Sequence, residues 1–276
     1  RKLGDGLMRR VLTALAILPF LFVAIWAGGE ILFVLLAVVG IIMAYEWVRL
    51  LASARPQRDT TFLCSLLCAL LLVGFFTSAN YALCLLLVLV MVFAGGAMFV
   101  GFRMAPVVGG AVYLGWPLLA MAFFRDNFLG GFVLLYILVS VFAVDIFAMF
   151  LGKFFGGPRL APRISPNKTW AGMGGAVLGS VLVGIITYFS ANWVTGMEVE
   201  LPAILLFAAI IAVIAQLGDL FESALKRKYG LKDTGSILPG HGGALDRLDG
   251  VIAVLIFLHI IVVMRGHSPA DAIWVW

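Results

Sequence analysis

Apolar residues run through this chain in long stretches, and polar or charged residues are confined mostly to the intervals between them. The stretches fall at Val11 to Ala27, Ile31 to Leu51, Thr61 to Thr77, Tyr81 to Val100, Val107 to Phe124, Phe132 to Leu151, Ala171 to Trp193, Pro202 to Phe221 and Leu248 to Met264. Each approaches the ~20 residues that a helix needs to cross ~30 Å of hydrocarbon. Helix is the assignment, because lipid satisfies no backbone polar group and the alternating ten-residue pattern of a membrane barrel is absent. The pattern therefore predicts an all-α polytopic integral membrane protein with about nine transmembrane helices. The first stretch follows Arg9 and Arg10 as the core of a signal peptide would. A second apolar stretch begins almost at once, however, and no small-residue cleavage site precedes it, so the first is expected to remain as a helix.

Composition agrees. The chain is 63% hydrophobic and 12% charged, with a mean hydropathy of +1.13, which excludes a water-soluble domain. Cys64, Cys68 and Cys84 all lie in apolar stretches and read as packing residues rather than as a disulfide framework or a metal pair. Charge adds the orientation. With the N-terminus inside and nine crossings, the cytoplasmic side receives all of the 19 Lys and Arg except Arg125 and Arg265. The C-terminus then lies on the opposite side, and the long cytoplasmic connections are residues 152–170 and 223–247. We divide the chain into an N-terminal helical region, residues 1–130, serving as scaffold or dimer contact, and a C-terminal catalytic region, residues 131–276.

The acidic residues start to show function. Glu46, Asp145, Asp219, Glu222, Asp246 and Asp249 fall in or beside helices at their cytoplasmic ends, where a carboxylate faces a bundle interior, a cavity or a partner. Glu46 is read as structural, paired with Arg49 at i+3. Asp219, Glu222, Ser223 and Lys226 are spaced i, i+3, i+4 and i+7 and so share one helix face. Asp246 and Asp249 are again i, i+3, preceded by Pro239-Gly240-His241-Gly242-Gly243. Carboxylate oxygens suit a hard cation such as Mg2+ that keeps positions open for phosphate, so Asp219 and Asp246 facing each other would form a metal seat. Glu222 and Asp249 are candidates for the same role, and a second cation is left open. The glycines Gly242 and Gly243 would let backbone N–H groups approach a phosphate.

A second polar cluster runs from Pro158 to Trp170. Its Ser165, Lys168 and Thr169 supply phosphate-directed donors just before a helix whose N-terminus also favours anions. Basic, hydroxyl-bearing loops beside paired carboxylates point to a polyphosphate held through a metal, and basic residues at a membrane surface attract anionic lipid. No nucleic-acid partner is expected. Among features assigned to packing, His259 lies too deep for the chemistry. Trp26, Trp47, Trp116, Trp193, Trp274 and Trp276 are expected mostly in interfacial belts. Gly172, Ala176, Gly179 and Val183 form a small-residue stripe suited to close helix contact, and a homodimer is one use for such a surface.

These residues carry a resemblance. Ser223-Ala224-Leu225-Lys226-Arg227, Lys232-Asp233, Gly235, Leu238-Pro239, His241-Gly242-Gly243 and Asp246-Arg247-Leu248-Asp249 together resemble the motif of the phosphatidate cytidylyltransferases, or CDP-diacylglycerol synthases. Gly218-Asp219-Leu220 and the run from Leu160 to Gly172 are similar to upstream segments of that family. Ala244 stands where the family usually has a larger aliphatic residue, and the segment after Asp145 lacks the family's small polar residues and Tyr. The resemblance implies transfer of a cytidylyl group from CTP to phosphatidic acid at the cytoplasmic face of a bacterial-type inner membrane. It implies Mg2+ on Asp219 and Asp246, and phosphate contacts from Lys226, Arg227, Lys232, Arg247, Lys168 and Ser165. Thr169, Ser223, Asp233 and Asp145 join the expected substrate-binding set. His241 would donate to the leaving pyrophosphate or fix its loop, and Asp249 would orient Arg247 or act as a further ligand. Two alternatives share these features: a CTP-dependent polyprenol or phytol kinase, and a transporter of an anionic solute. The clustering of acids at one face and the lack of repeated halves count against transport.

Overall fold

The computed structural model describes residues 20–100, 105–235 and 243–275; for 94–100 and 105 only the backbone is considered. Arg9, Arg10, His241 and Gly242 lie outside the described residues. The protein is helical nearly throughout. Residues 20–27 belong to α1, followed by α2 (Gly29–Leu50), α3 (Pro56–Phe76), α4 (Ala79–Val100), α5 (Ala105–Gly110) and α6 (Trp116–Asp126). Then come α7 (Gly130–Phe155), β1 (Arg159–Ala161), β2 (Ser165–Thr169), α8 (Trp170–Thr195), α9 (Leu201–Lys228), α10 (Leu245–Arg265) and α11 (Pro269–Trp274). Among the described residues, 7 helical spans are long and apolar enough to cross a membrane, counting α5 and α6 as one span, and Ala79–Phe93 adds a shorter apolar helix. This is a multi-pass membrane protein. Most of the first predicted stretch, Val11 to Ala27, falls outside the described residues.

Two compact units are formed, and their boundaries are not those of two consecutive halves. Among the described residues, 228–235 and 243–248 belong with 20–100 and 105–123, and 249–275 belong with 124–227. In the first unit α2, α3, α4 and α5 pack together. The ring of Trp47 stacks on Tyr113 at 4.9 Å, and its Nε1 donates to Pro106 O at 2.8 Å. Trp47 is thus a buried core residue, and so is Trp274, whereas Trp26 and Trp193 are exposed as interfacial rings would be. Each buried indole finds apolar neighbours inside the bundle, so hydropathy at the helix end does not decide its place. A π-helical turn at Ala111–Gly115 separates α5 from α6 where a single regular helix was expected.

Glu46, on α2, takes a partner that its sequence neighbours did not suggest. Its carboxylate accepts from the backbone N–H groups of Ala244 at 3.0 Å and Leu245 at 2.9 Å, and from Thr234 Oγ1 at 3.5 Å. It therefore caps the N-terminus of α10, which starts three residues earlier than the hydropathy boundary at Leu248. The structural role holds but the Arg49 pairing does not: Arg49 donates to Tyr45 Oη at 2.6 Å and lies over that ring. Glu46 is 1% exposed, and two buried amides outcompete an arginine that reaches solvent.

The second unit is built on α7 against α8. Gly175 and Gly179 let the helix backbones nearly touch: a Cβ there would lie 2.6 Å from Phe147 O and 2.8 Å from Ala143 O. The small-residue stripe of α8 is thus occupied by α7 of the same chain. The helix α7 ends at Gly156 and Gly157, whose φ values of 61° and 93° suit glycine. Next comes an antiparallel hairpin, β1 with β2, within the connection expected as a polar loop. Its turn is closed by Ile164 N–H donating to Ala161 O at 3.1 Å, with Pro162 in the position whose φ it pre-sets. Finally, α9 continues two turns past the predicted end at Phe221, because side chains four apart pair along it: Ser223 with Asp219, and Lys226 with Glu222.

Candidate active site

Within the second unit, the C-terminal end of α7, the N-terminal end of α8 and the C-terminal part of α9 surround a cavity of about 500 Å³. Its lining includes Asp145, Met149 and Lys153 from α7, Asn167, Lys168 and Thr169 from β2, and Gln216 and Asp219 from α9. Each wall has a local cause. Thr169 caps α8, its Oγ1 accepting from Gly172 N–H at 3.1 Å, which fixes where the strand hands over to the helix. The hairpin is tied to the end of α9 by Arg227 Nε donating to Ile164 O at 3.4 Å. Opposite charges then close the distance: Lys168 Nζ lies 2.7 Å from Asp219 Oδ2 and donates to Gln216 O at 3.4 Å.

Asp219 is the hub. Its Oδ1 accepts from Ser223 Oγ at 3.2 Å while Oδ2 meets Lys168, and the side chain keeps 32% of its surface exposed. Asp249, on α10, is 8% exposed and lies within electrostatic range of Asp219, Asp145 and Lys226. Gly218 brings α9 against α10 at this level, since a Cβ there would sit 2.7 Å from Asp249 O. Glu222 and Lys226 pair at 3.1 Å beneath this surface and are 1% and 9% exposed. One face of α9 therefore holds all four residues as its periodicity predicted. Lys226, however, balances Glu222 rather than projecting into the cavity, because a carboxylate that deep requires a counter-charge.

Other expected residues are not among those lining this cavity. Asp246 belongs to the first unit, where both carboxylate oxygens accept from Thr234 N–H, at 3.3 and 3.1 Å, and Oδ2 also accepts from Gly243 N–H at 3.1 Å. Asp233 lines a separate cavity of about 370 Å³ in that unit, together with Glu46, Arg49 and Thr234. Lys232 and Arg247 are exposed there. Ser165 pairs with Ala161 at the far end of the hairpin and does not line the 500 Å³ cavity. Gly243 contributes its N–H to Asp246 rather than to an open nest. Asp145, ~9 Å inside the end of its apolar stretch by helical rise, is exposed to the cavity as a carboxylate at that depth has to be.

The profile of the Cytidylyltransferase family matches residues 8–265. The chain belongs to this family. It is 33% identical over 272 residues to a phosphatidate cytidylyltransferase of Brucella abortus, with 93% of each chain covered. It is 35% identical over 260 residues to one of Thermotoga maritima, covering 91% of this chain and 94% of that one. A phosphatidate cytidylyltransferase of Haemophilus influenzae is 42% identical over 134 residues, 48% of this chain and 46% of the relative.

Three cavity residues of this cytidylyltransferase-family chain escaped the sequence reading. Lys153 reads in the sequence as one of the cytoplasmic charges, and Asn167 as one residue of the polar run from Pro158 to Trp170. Gln216 carried a usable signal: a lone amide in an apolar run, three residues before Asp219 and hence on its face.

Proposed function

We propose that this chain is a phosphatidate cytidylyltransferase: it transfers the cytidylyl group of CTP to phosphatidate, giving CDP-diacylglycerol and pyrophosphate. We place the reaction at the cytoplasmic end of the bundle in a bacterial inner membrane. The observation that carries this reading is the family match over residues 8–265. The chemistry of the cavity supports it independently, because lysines, an amide and carboxylates converge at the end of apolar helices. The lysines and arginines of the hairpin and the adjoining helix ends, Lys153, Arg159, Arg163, Lys168 and Arg227, favour the cytoplasmic side.

In this reaction an ionised phosphate oxygen of the lipid attacks the α-phosphorus of CTP in line. The new O–P bond forms as the bond to the pyrophosphate bridging oxygen breaks, and pyrophosphate departs with the electron pair. A phosphomonoester is already deprotonated at neutral pH, so no side chain has to act as a base. The protein's work is position and charge. Lys168 is anchored by two of its three N–H groups, on Asp219 and on Gln216 O, which leaves the third for a phosphate oxygen. Asn167 and the N-terminal amides of α8 add neutral donors at the same wall. By its resemblance to the family motif, Arg227 is a further phosphate contact in the same unit.

A hard cation suits the carboxylate oxygens of Asp219 and Asp145 at the cavity wall. Among the described residues no three His, Cys, Asp or Glu stand together as a metal site, so most of the coordination would come from phosphate and water. Mg2+ held there would neutralise charge on the triphosphate. Asp246 accepts backbone N–H groups from Thr234 and Gly243, which orients its carboxylate and leaves it oxygen lone pairs for a cation. The decisive assay uses CTP labelled at the α- or the γ-phosphate with phosphatidate and purified protein. Label from the α-phosphate in the lipid supports cytidylyl transfer, and label from the γ-phosphate alone makes the enzyme a kinase. A folded Asp219→Asn variant with full activity would remove the role given to that residue.

A further inference from the structure

The C-terminal half of α7 carries a face that none of the sequence motifs includes. Ile146, Met149, Phe150, Lys153 and Phe154 are spaced i, i+3, i+4, i+7 and i+8, so they form one stripe. The four apolar members are 59%, 57%, 66% and 74% exposed. The opposite face of α7 is taken by α8, against which the backbone carbonyls of Ala143 and Phe147 lie. Met149 and Lys153 also line the 500 Å³ cavity, so the stripe runs from the lipid-facing surface into the wall that holds Lys168 and Asp219. Lys168 is paired with Asp219, whereas Lys153 is exposed and makes no ion pair or hydrogen bond among the described residues.

An apolar track ending in an uncommitted ammonium at the mouth of a polar cavity is complementary to one class of molecule: an amphiphile with acyl chains and an anionic phosphate head. We propose that this face of α7 is the lipid-substrate track, with the acyl chains against Ile146, Met149 and Phe150 and the phosphate held at the cavity mouth by Lys153. The inference rests on the cytidylyl-transfer reading and adds a specificity-determining residue to it. A cation in the last turn of a helix also suits the helix dipole and the positive-inside pattern. Neither of those roles would alter the Michaelis constant of one substrate and not of the other.

The test measures initial rates in mixed micelles, varying the mole fraction of phosphatidate at saturating CTP and then CTP at saturating phosphatidate. Loss of the phosphate–ammonium contact in Lys153→Gln should raise KM for phosphatidate by about tenfold, with KM for CTP unchanged and Lys153→Arg close to wild type. Met149→Ser with Phe150→Ser should raise KM for a dioleoyl substrate and leave that for a dihexanoyl substrate unchanged. Two outcomes overturn the track. The first is an unchanged lipid KM in Lys153→Gln, or a rise confined to CTP. The second is a change of oligomeric state in the double serine variant with both lipid KM values unaltered, which would make the stripe a contact between copies. Inactive wild-type protein would instead remove the cytidylyl-transfer reading itself.

Discussion

Replacing Glu46 with alanine tests how the chain holds its motif-bearing segment. The carboxylate accepts from Ala244 N–H at 3.0 Å and Leu245 N–H at 2.9 Å, with Thr234 Oγ1 at 3.5 Å. Leu245 is 0% and Ala244 8% exposed, so Glu46→Ala leaves two buried amide donors without an acceptor. Each such donor costs about 1–3 kcal/mol. Removing an anion from the N-terminus of α10 adds roughly 0.3–1 kcal/mol. The sum is about 2–7 kcal/mol, which for a chain of this length corresponds to a fall in Tm on the order of 10 °C. The assay is thermal unfolding of the detergent-solubilised protein, with the exposed Glu30→Ala as control. Glu46→Gln should fall between, because it keeps one carbonyl acceptor but turns an amide N–H2 towards the second donor. A Tm for Glu46→Ala within about 2 °C of wild type would refute the capping argument.

Gly175→Ala should lower stability by about 1–3 kcal/mol, because its Cβ would meet Phe147 O at 2.6 Å, and this should appear as a lower Tm. The neighbouring Gly174→Ala meets nothing within 4 Å and should be neutral or stabilising by about 0.5–1 kcal/mol in the same measurement. Thr169→Ala removes the cap of α8 and should cost about 1 kcal/mol, with Thr169→Ser restoring it, read by thermal unfolding and by activity at sub-saturating substrate. Chelation of divalent cations should abolish CDP-diacylglycerol formation and Mg2+ should restore it; full activity after exhaustive chelation would contradict the cation reading.

Much of this protein is legible along the chain because the bilayer imposes a one-dimensional rule. Every backbone polar group in lipid must be satisfied within its own helix, so apolar length alone marks the spans from α2 to α10. Periodicity likewise placed Asp219, Glu222, Ser223 and Lys226 on one face, since 3.6 residues per turn needs no partner to be true. Pairing is another matter. Glu46 was matched with Arg49 because they are three residues apart, whereas its real partners lie almost two hundred positions away, and the burial of two amides decides the contest. Asp246, read by spacing as a ligand partner of Asp219, accepts from the backbone N–H groups of Thr234 and Gly243, while Asp249 comes near Asp219 because Gly218 lets α9 and α10 approach. The sequence by itself determined which segments are helices, which faces they present and which family the motif resembles. The tertiary structure alone decided which charges neutralise each other, which remain open to a ligand and that Lys153 stands at the cavity. Those outcomes depend on distances between helices, which side-chain size at single glycines controls and linear spacing does not record.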